Sequence, residues 1–386
     1  MKNLIRHITL VIIVAAALLT PRWVLAQDSI VPAPTEESQA PAPEGKEKFD
    51  AKSFIFGHTG DSYCFHITEI KGEPVCVWLP VIVKCKDGGS WHCFSSKHVC
   101  ELKEGETFNH KGANFYVAPI NADKYPGKLV EVKADGSLSR PFDISFTKNA
   151  FGIFLVCAFL LAFFLPAAKK YKKDPMGQPT KYQGLIEWLT YMVLDGIIRP
   201  NVPEKKVKKF APYLLTVFFF IFFANLFGLI PFFPFGANVT GNLSITIVLA
   251  LLTYFFVNLF GNRHYWKDIL WPDVPIFLKA LPLMPIIELI STITKPFALM
   301  VRLFANILAG HIVIMVLMAL IFIIGGMYGA GMGGVMSIVS IFMTIFMTAL
   351  ELLVAYIQAY VFTILSSLFI GMAQHEPDHK SLECRV

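Results

Sequence analysis

Arg302 stands between Val301 and Leu303 in a stretch that otherwise reads as membrane helix. A guanidinium there costs at least ~2.5 kcal/mol even on insertion scales. It cannot shed its charge, because a guanidinium is not deprotonated in proteins. Such a group needs a counter-charge or water, and in a conducting protein it is suited to act as a fixed positive barrier. The bland alternative is an arginine snorkelling to the interface. Glu288, Lys295 and Arg302 recur at intervals of seven and share one face of a continuous helix, with Asn306 four positions on, about 40° away. Pro296 sits where that alignment could break. His311 follows Arg302 by nine positions, an offset of about 180°. One helix would then present a fixed charge on one side and a titratable group on the other.

A second set lies near the C-terminus. Glu351 and Gln358 are seven apart amid apolar neighbours. A lone glutamate in lipid is expensive, so it must meet a partner, water or a proton. If the last two helices run antiparallel, His311 and Glu351 form a candidate proton-relay pair, the alternative for each being ordinary packing. Asn225, and Asn238, Asn242, Ser244 and Thr246 near the following turn, have types that could line an aqueous vestibule or serve as interhelical glue. The sequence contains no Walker motif, zinc-protease pattern or dinucleotide fingerprint, so neither nucleotide hydrolysis on this chain, nor a metal, nor a cofactor is expected.

These residues require a membrane scaffold. Of 386 residues 55% are hydrophobic and 16% charged, too apolar for a chain surrounded only by water. The net charge of +6 sits in short Lys and Arg runs beside apolar segments, a pattern that sets topology rather than nucleic-acid binding. Residues 1–26 have the layout of a signal peptide, with Lys2 and Arg6, an apolar Ile8 to Leu19 run, and Val24 and Ala26 before the expected cleavage. An uncleaved first span is the alternative. Residues 27–50, rich in Pro, Ala and Glu, read as a linker.

Residues 51–148 carry strand-forming runs between turn signals and read as a small, mainly β, exported domain. Cys64, Cys76, Cys85, Cys93 and Cys100 all fall within it. In an oxidising compartment they are disulfide candidates, with connectivity open and one thiol left over. Cys93 and Cys100 with His92 or His98 would be the zinc-site alternative, disfavoured by export.

Residues 149–374 form the membrane domain. Its expected crossings are Ala150 to Ala168, Pro212 to Pro231, Leu243 to Phe260, a helix beyond Pro296 to Ile324, and Val335 to Ala373, with an interfacial stretch at Gln183 to Ile198. Lys169 to Lys173, Lys205 to Lys209 and Arg263 to Lys267 place those ends in the cytoplasm, together with the tail, residues 375–386. Glycines between Gly325 and Gly334 suggest a flexible reversal.

Across residues 150–374 the sequence resembles the a subunit family of bacterial F-type rotary ATP synthases. The resemblance rests on Met300-Val301-Arg302-Leu303-Phe304-Ala305-Asn306, Ala309-Gly310-His311, and the run from Glu351 through Gln358-Ala359-Tyr360. The long exported extension resembles the Bacteroidetes-like branch. The fold implied is an all-α polytopic membrane protein, with about five membrane helices plus an interfacial helix, the last two long and tilted beside a rotor ring. The implied function is proton translocation by an inner-membrane stator subunit. It forms two half-channels against the c-ring and couples proton flow to rotation and ATP synthesis, with no covalent catalysis of its own.

Arg302 is similar to the family's essential arginine, Asn306 and Gln358 to its polar partners, and Asn225 to a channel-wall residue. Glu288 joins the expected path. Implied partners are the c-ring, b-type peripheral stalk and, through the complex, the F1 catalytic head. His311 and Glu351 exchange the types found in the better-known branch, and Asn242 replaces a usual Asp. A proton-coupled secondary transporter is the alternative, although its paired inverted repeats are not evident. A structural scaffold would leave Arg302 unexplained.

Overall fold

The computed structural model describes residues 60–374, apart from 71–72, 86–88, 103–105, 120–121, 123, 134–135, 175–176, 231–233 and 271–282. The expected signal peptide, linker and tail lie outside the described residues. The described residues divide into two compact units, one from 149–309 and 349–374, the other from 60–148 and 310–348.

In the second unit, β1 (Cys64–Ile70) and β2 (Glu73–Trp78) form an antiparallel ribbon. β3 (Pro80–Lys84) pairs with β4 (Trp91–Ser95), whose continuation ends in the one-turn helix α1 (Lys97–Cys100). β5 (Phe108–His110), β6 (Ala113–Val117), β7 (Leu129–Val132) and β8 (Leu138–Ser139) make an antiparallel meander, and β9 (Phe142–Asp143) closes on β3. The period of two explains the core. β3 buries Val81 and Val83, and the register sets them opposite Phe94 and His92 of β4, so all four point the same way. Tyr63, Cys85, Val99, Phe115 and Leu129 complete that cluster.

The same unit contains the reversal between α8 (Leu283–Tyr328) and α9 (Ala330–Gln374). The sequence suggests a loose glycine-rich link, but the turn is a single residue, Gly329, at φ +89°. The other glycines stay helical and let the backbones approach, since a Cβ on Gly333 would lie 3.0 Å from the Cα of Gly325. Gly329 is in the left-handed region that a side chain disfavours.

In the first unit α2 (Lys148–Lys173) is followed by α3 (Lys181–Val193), a π-helical stretch (Leu194–Ile198) and the short α4 (Arg199–Asn201). α5 (Glu204–Leu229) is central, burying Phe210, Leu214, Phe218 and Ile221 almost completely. α6 (Leu243–Leu259) packs beside it through a stacked Tyr213–Phe256 pair and a 3.0 Å Tyr213–Thr253 hydroxyl contact. α7 (Arg263–Leu270) is short and polar on one side.

Among the described residues four helices, α2, α5, α8 and α9, are long and apolar enough to cross a membrane. The 17-residue α6 is about 25 Å long at ~1.5 Å per residue, a little short of a ~30 Å hydrocarbon core. Pro296 does not end α8, which runs through it from Leu283 to Tyr328. Neighbouring helices can support the backbone group that proline leaves without a donor.

α9 approaches α4 so closely that a Cβ on Gly371 would collide with the carbonyl oxygen of Asn201. Gly371→Ala is therefore expected to destabilise the membrane domain by about 1–3 kcal/mol, the usual cost of overpacking. A thermal transition of the purified complex unchanged by that substitution would contradict this packing.

Candidate ion-pathway site

α8 turns Leu299, Leu303 and Ile307 into the core of the first unit. Arg302 and Asn306 flank that stripe on the exposed side, as does Val301 at 39% exposure. Among the described residues no carboxylate lies within ion-pair distance of Arg302. Its counter-charge must therefore come from outside this set of residues or from water.

α9 contributes the complementary polar stripe. Glu351, Ala355, Gln358, Ala359 and Phe362 are all buried, and their spacing follows one face of a helix. The Asn306 amide nitrogen donates to Gln358 Oε1 at 3.1 Å, tying α8 to α9 beside Arg302. Gln358 is 2% exposed, so this bond also meets the hydrogen-bonding need of a buried amide.

Asn225 on α5 is buried and engaged at both ends. Its nitrogen donates to the Ala355 carbonyl at 3.4 Å, and its oxygen accepts from the Thr240 hydroxyl. It thus ties α5 to the α9 stripe between Glu351 and Gln358, as interhelical glue does. Asn242 caps α6, its side chain accepting from the Ser244 amide at 3.0 Å. Asn is among the favoured N-caps, so this residue has a local role whatever its place on an ion path.

Glu288 and Lys295, one face of α8 up to Arg302, line a cavity of about 190 Å³ with Asn258, Tyr265, Thr292 and Thr253 among its walls. Lys295 also holds its ammonium 5.8 Å from the ring centre of Phe369. The continuous helix through Pro296 is what keeps Glu288, Lys295 and Arg302 in line. Burial raises the Tyr265 hydroxyl above the usual tyrosine range, with the Thr292 hydrogen bond opposing it and the Glu288 charge adding to it.

Sequence reading missed Thr240, Thr253, Asn258, Tyr265 and Thr292. Thr240 carries no helical periodicity, and the others look like single polar residues until three elements bring them around one cavity. His311 belongs to the second unit and Glu351 to the first. The cysteines of the sheet domain form two classes. Cys64, Cys76 and Cys100 adjoin one another, with the Cys64 thiol in hydrogen-bond contact with both others, whereas Cys93 is exposed and Cys85 buried. Among the described residues no group of three or more His, Cys, Asp or Glu is arranged to hold a metal ion.

The family model described as ATP synthase A chain matches residues 150–371. A second, described as a domain of unknown function (DUF8433), matches residues 54–148. An ATP synthase subunit a from Anaeromyxobacter dehalogenans is 36% identical over 315 residues, covering 74% of this chain and 79% of that protein. One from Myxococcus xanthus is 35% identical, covering 68% and 89% respectively. One from Chloroherpeton thalassium is 37% identical, covering 62% and 69%.

Proposed function

The chain belongs to the ATP synthase A chain family, and on that premise we propose how its polar residues divide the work of moving protons. It is a multi-pass protein of the bacterial inner membrane and the proton-translocating subunit a of an F-type ATP synthase, acting in a complex with a c-ring and other subunits. The family match leaves the transporter alternative without support.

The observation that carries the division of labour is Arg302. It is a permanent cation on an exposed face of an apolar helix, with no carboxylate of the described residues in reach. A rotor carboxylate passing that face would supply the missing counter-charge, and the fixed cation would block a direct proton shortcut between two half-channels. The Asn306–Gln358 bond holds the helices on either side of it in register. The cavity at Glu288 and Lys295 supports one half-channel on the cytoplasmic side. His311, Glu351, Asn225 and Asn242 are assigned to the opposite, periplasmic path, with His311 and Glu351 as its relay.

α8 and α9 contain 46 and 45 residues, about 68 Å each at ~1.5 Å per residue. That is more than twice the hydrocarbon thickness, which supports strong tilt beside the ring. Lysine runs at the α2 and α5 ends support a cytoplasmic C-terminus and a periplasmic sheet domain. The peripheral stalk and catalytic head would engage the cytoplasmic side.

Leu353 on α9 is 54% exposed and lies on the helix that would face the rotor. In the assembled complex a Leu353→Cys chain should cross-link to cysteines introduced on the rotor's outer helix, blocking ATP-driven rotation until reduction. Rotation unaffected by a demonstrated cross-link would refute this placement. Glu288→Gln should slow proton release several-fold without loss of complex, because the cavity keeps its shape and loses only a titratable group. Unchanged flux per complex would remove Glu288 from the path.

A further inference from the structure

Cys64 opens β1, and the register pairs Cys76 of β2 with His66, two residues from Cys64. Residues two apart in a strand share a face, so the thiols of Cys64 and Cys76 are diagonal neighbours on one side of the ribbon. Cys100 comes from α1, and with Val99 it lines an open pocket of about 500 Å³ that Ser62, Tyr63 and Cys64 line as well. Three thiols from three elements thus meet around the Cys64 sulfur, which contacts both others. The remaining two cysteines of this module are placed differently. Cys85 continues the buried side of β3, while Cys93 pairs with Ile82 and faces outward, so the ladder sets them on opposite faces.

We propose that Cys64 is the shared sulfur of an exchangeable disulfide, which bridges to Cys100 and pins α1 to the start of β1, with Cys76 as the thiol that displaces Cys100. The proposal rests on the periplasmic location inferred above, because disulfides persist in oxidising compartments.

The chemistry is thiol–disulfide exchange with an oxidant that carries a disulfide, either a disulfide-bearing protein or a small-molecule disulfide. The Cys64 thiolate attacks one sulfur of the donor, whose S–S bond breaks and releases one donor thiolate. The Cys100 thiolate then attacks the Cys64 side of the mixed disulfide and releases the second. Two protein thiols are oxidised, the donor disulfide is reduced to two thiols, and the protons pass to the departing sulfurs. In the exchange step Cys76 attacks Cys64 and expels the Cys100 thiolate, with no net oxidation, and α1 is released.

The asymmetry of the cluster suits Cys64 to begin. Hydrogen bonding from Cys100 is the largest influence on its thiol; with the bond from Cys76 and the Lys148 charge it outweighs burial and lowers the group to about 7. The same bond to Cys64 raises Cys100, helped by burial. A lowered thiol is the one populated as thiolate near neutral pH.

The test uses the purified complex, oxidised with glutathione disulfide, quenched by alkylation and mapped by mass spectrometry without reduction. Cys64–Cys100 is the expected crosslinked peptide. Cys100→Ser should move the bridge to Cys64–Cys76, Cys76→Ser should leave Cys64–Cys100 in place, and Cys64→Ser should abolish bridging within the triad. A Cys76–Cys100 bridge as the main product, a bridge from Cys64 to Cys85 or Cys93, or Cys64 alkylated after oxidation would each overturn the proposal. Labelling of Cys93 by a membrane-impermeant maleimide in cells with a permeabilised outer membrane tests location separately. Failure to label it there would overturn the periplasmic placement, whereas labelled Cys93 with unbridged Cys64 would overturn the disulfide alone.

Discussion

Arg302→Ala is expected to abolish ATP-driven proton pumping in inverted vesicles while the complex still assembles in part. The side chain lies on the exposed side of α8, and the packing of that helix is carried by Leu299, Leu303 and Ile307. Removing it therefore takes away charge and little burial. Without the cation a rotor carboxylate would lose its counter-charge at the crossing point, and protons could pass between the half-channels without turning the ring. Arg302→Lys should rescue poorly, because an ammonium supplies charge without the planar fork and is more strongly hydrated. Normal pumping by assembled Arg302→Ala complexes would sink the assignment. Proton leak through Arg302→Ala vesicles, measured as dissipation of an imposed gradient, should rise relative to the parent complex, which a purely structural role would not produce.

Glu351→Gln is the second large effect: proton uptake at neutral pH should slow strongly. The substitution preserves shape and hydrogen-bonding capacity on the buried stripe of α9, so the lost function is titration rather than packing. His311→Ala should impair the same step by removing the other member of the proposed relay. If the two act as a coupled pair, their titrations belong to the pair and not to either residue. The double change His311→Glu with Glu351→His should then recover more flux than either single change. The comparison requires equal amounts of assembled complex, because an unpaired buried group can lower flux simply by destabilising the helices. A double variant whose flux only multiplies the two single defects, or normal flux in the single Ala and Gln variants, would return both residues to packing roles.

Much of this site is local in sequence and was legible there. A cation between Val301 and Leu303, carboxylate and lysine at seven-residue intervals before it, and Glu351 with Gln358 at the same interval are periodic signals that a helix converts directly into shared faces. The apolar runs likewise sufficed to identify helices, because lipid leaves the backbone few alternatives. Helix ends were less legible. Pro296 reads as an interruption, yet the helix continues through it, and the glycine cluster reads as a loose link, yet only Gly329 turns.

What the sequence by itself determined is thus the class of protein, the positions of charged and amide residues within its apolar helices, and the faces they share within each helix. Tertiary structure decided which of them meet. Asn306 reaches Gln358 across 52 residues and Asn225 reaches Ala355 across 130, separations at which no periodicity links two positions. The cavity at Glu288 exists only because α6, α7, α8 and α9 converge. Asn242 proved to be an N-cap because the backbone of α6 starts there. The thiols around Cys64 are sorted from Cys85 and Cys93 by strand register, and a shift of one residue would turn each side chain to the other face. Short-range patterning fixes the faces of an element, whereas contacts between elements depend on register and packing summed over the whole chain.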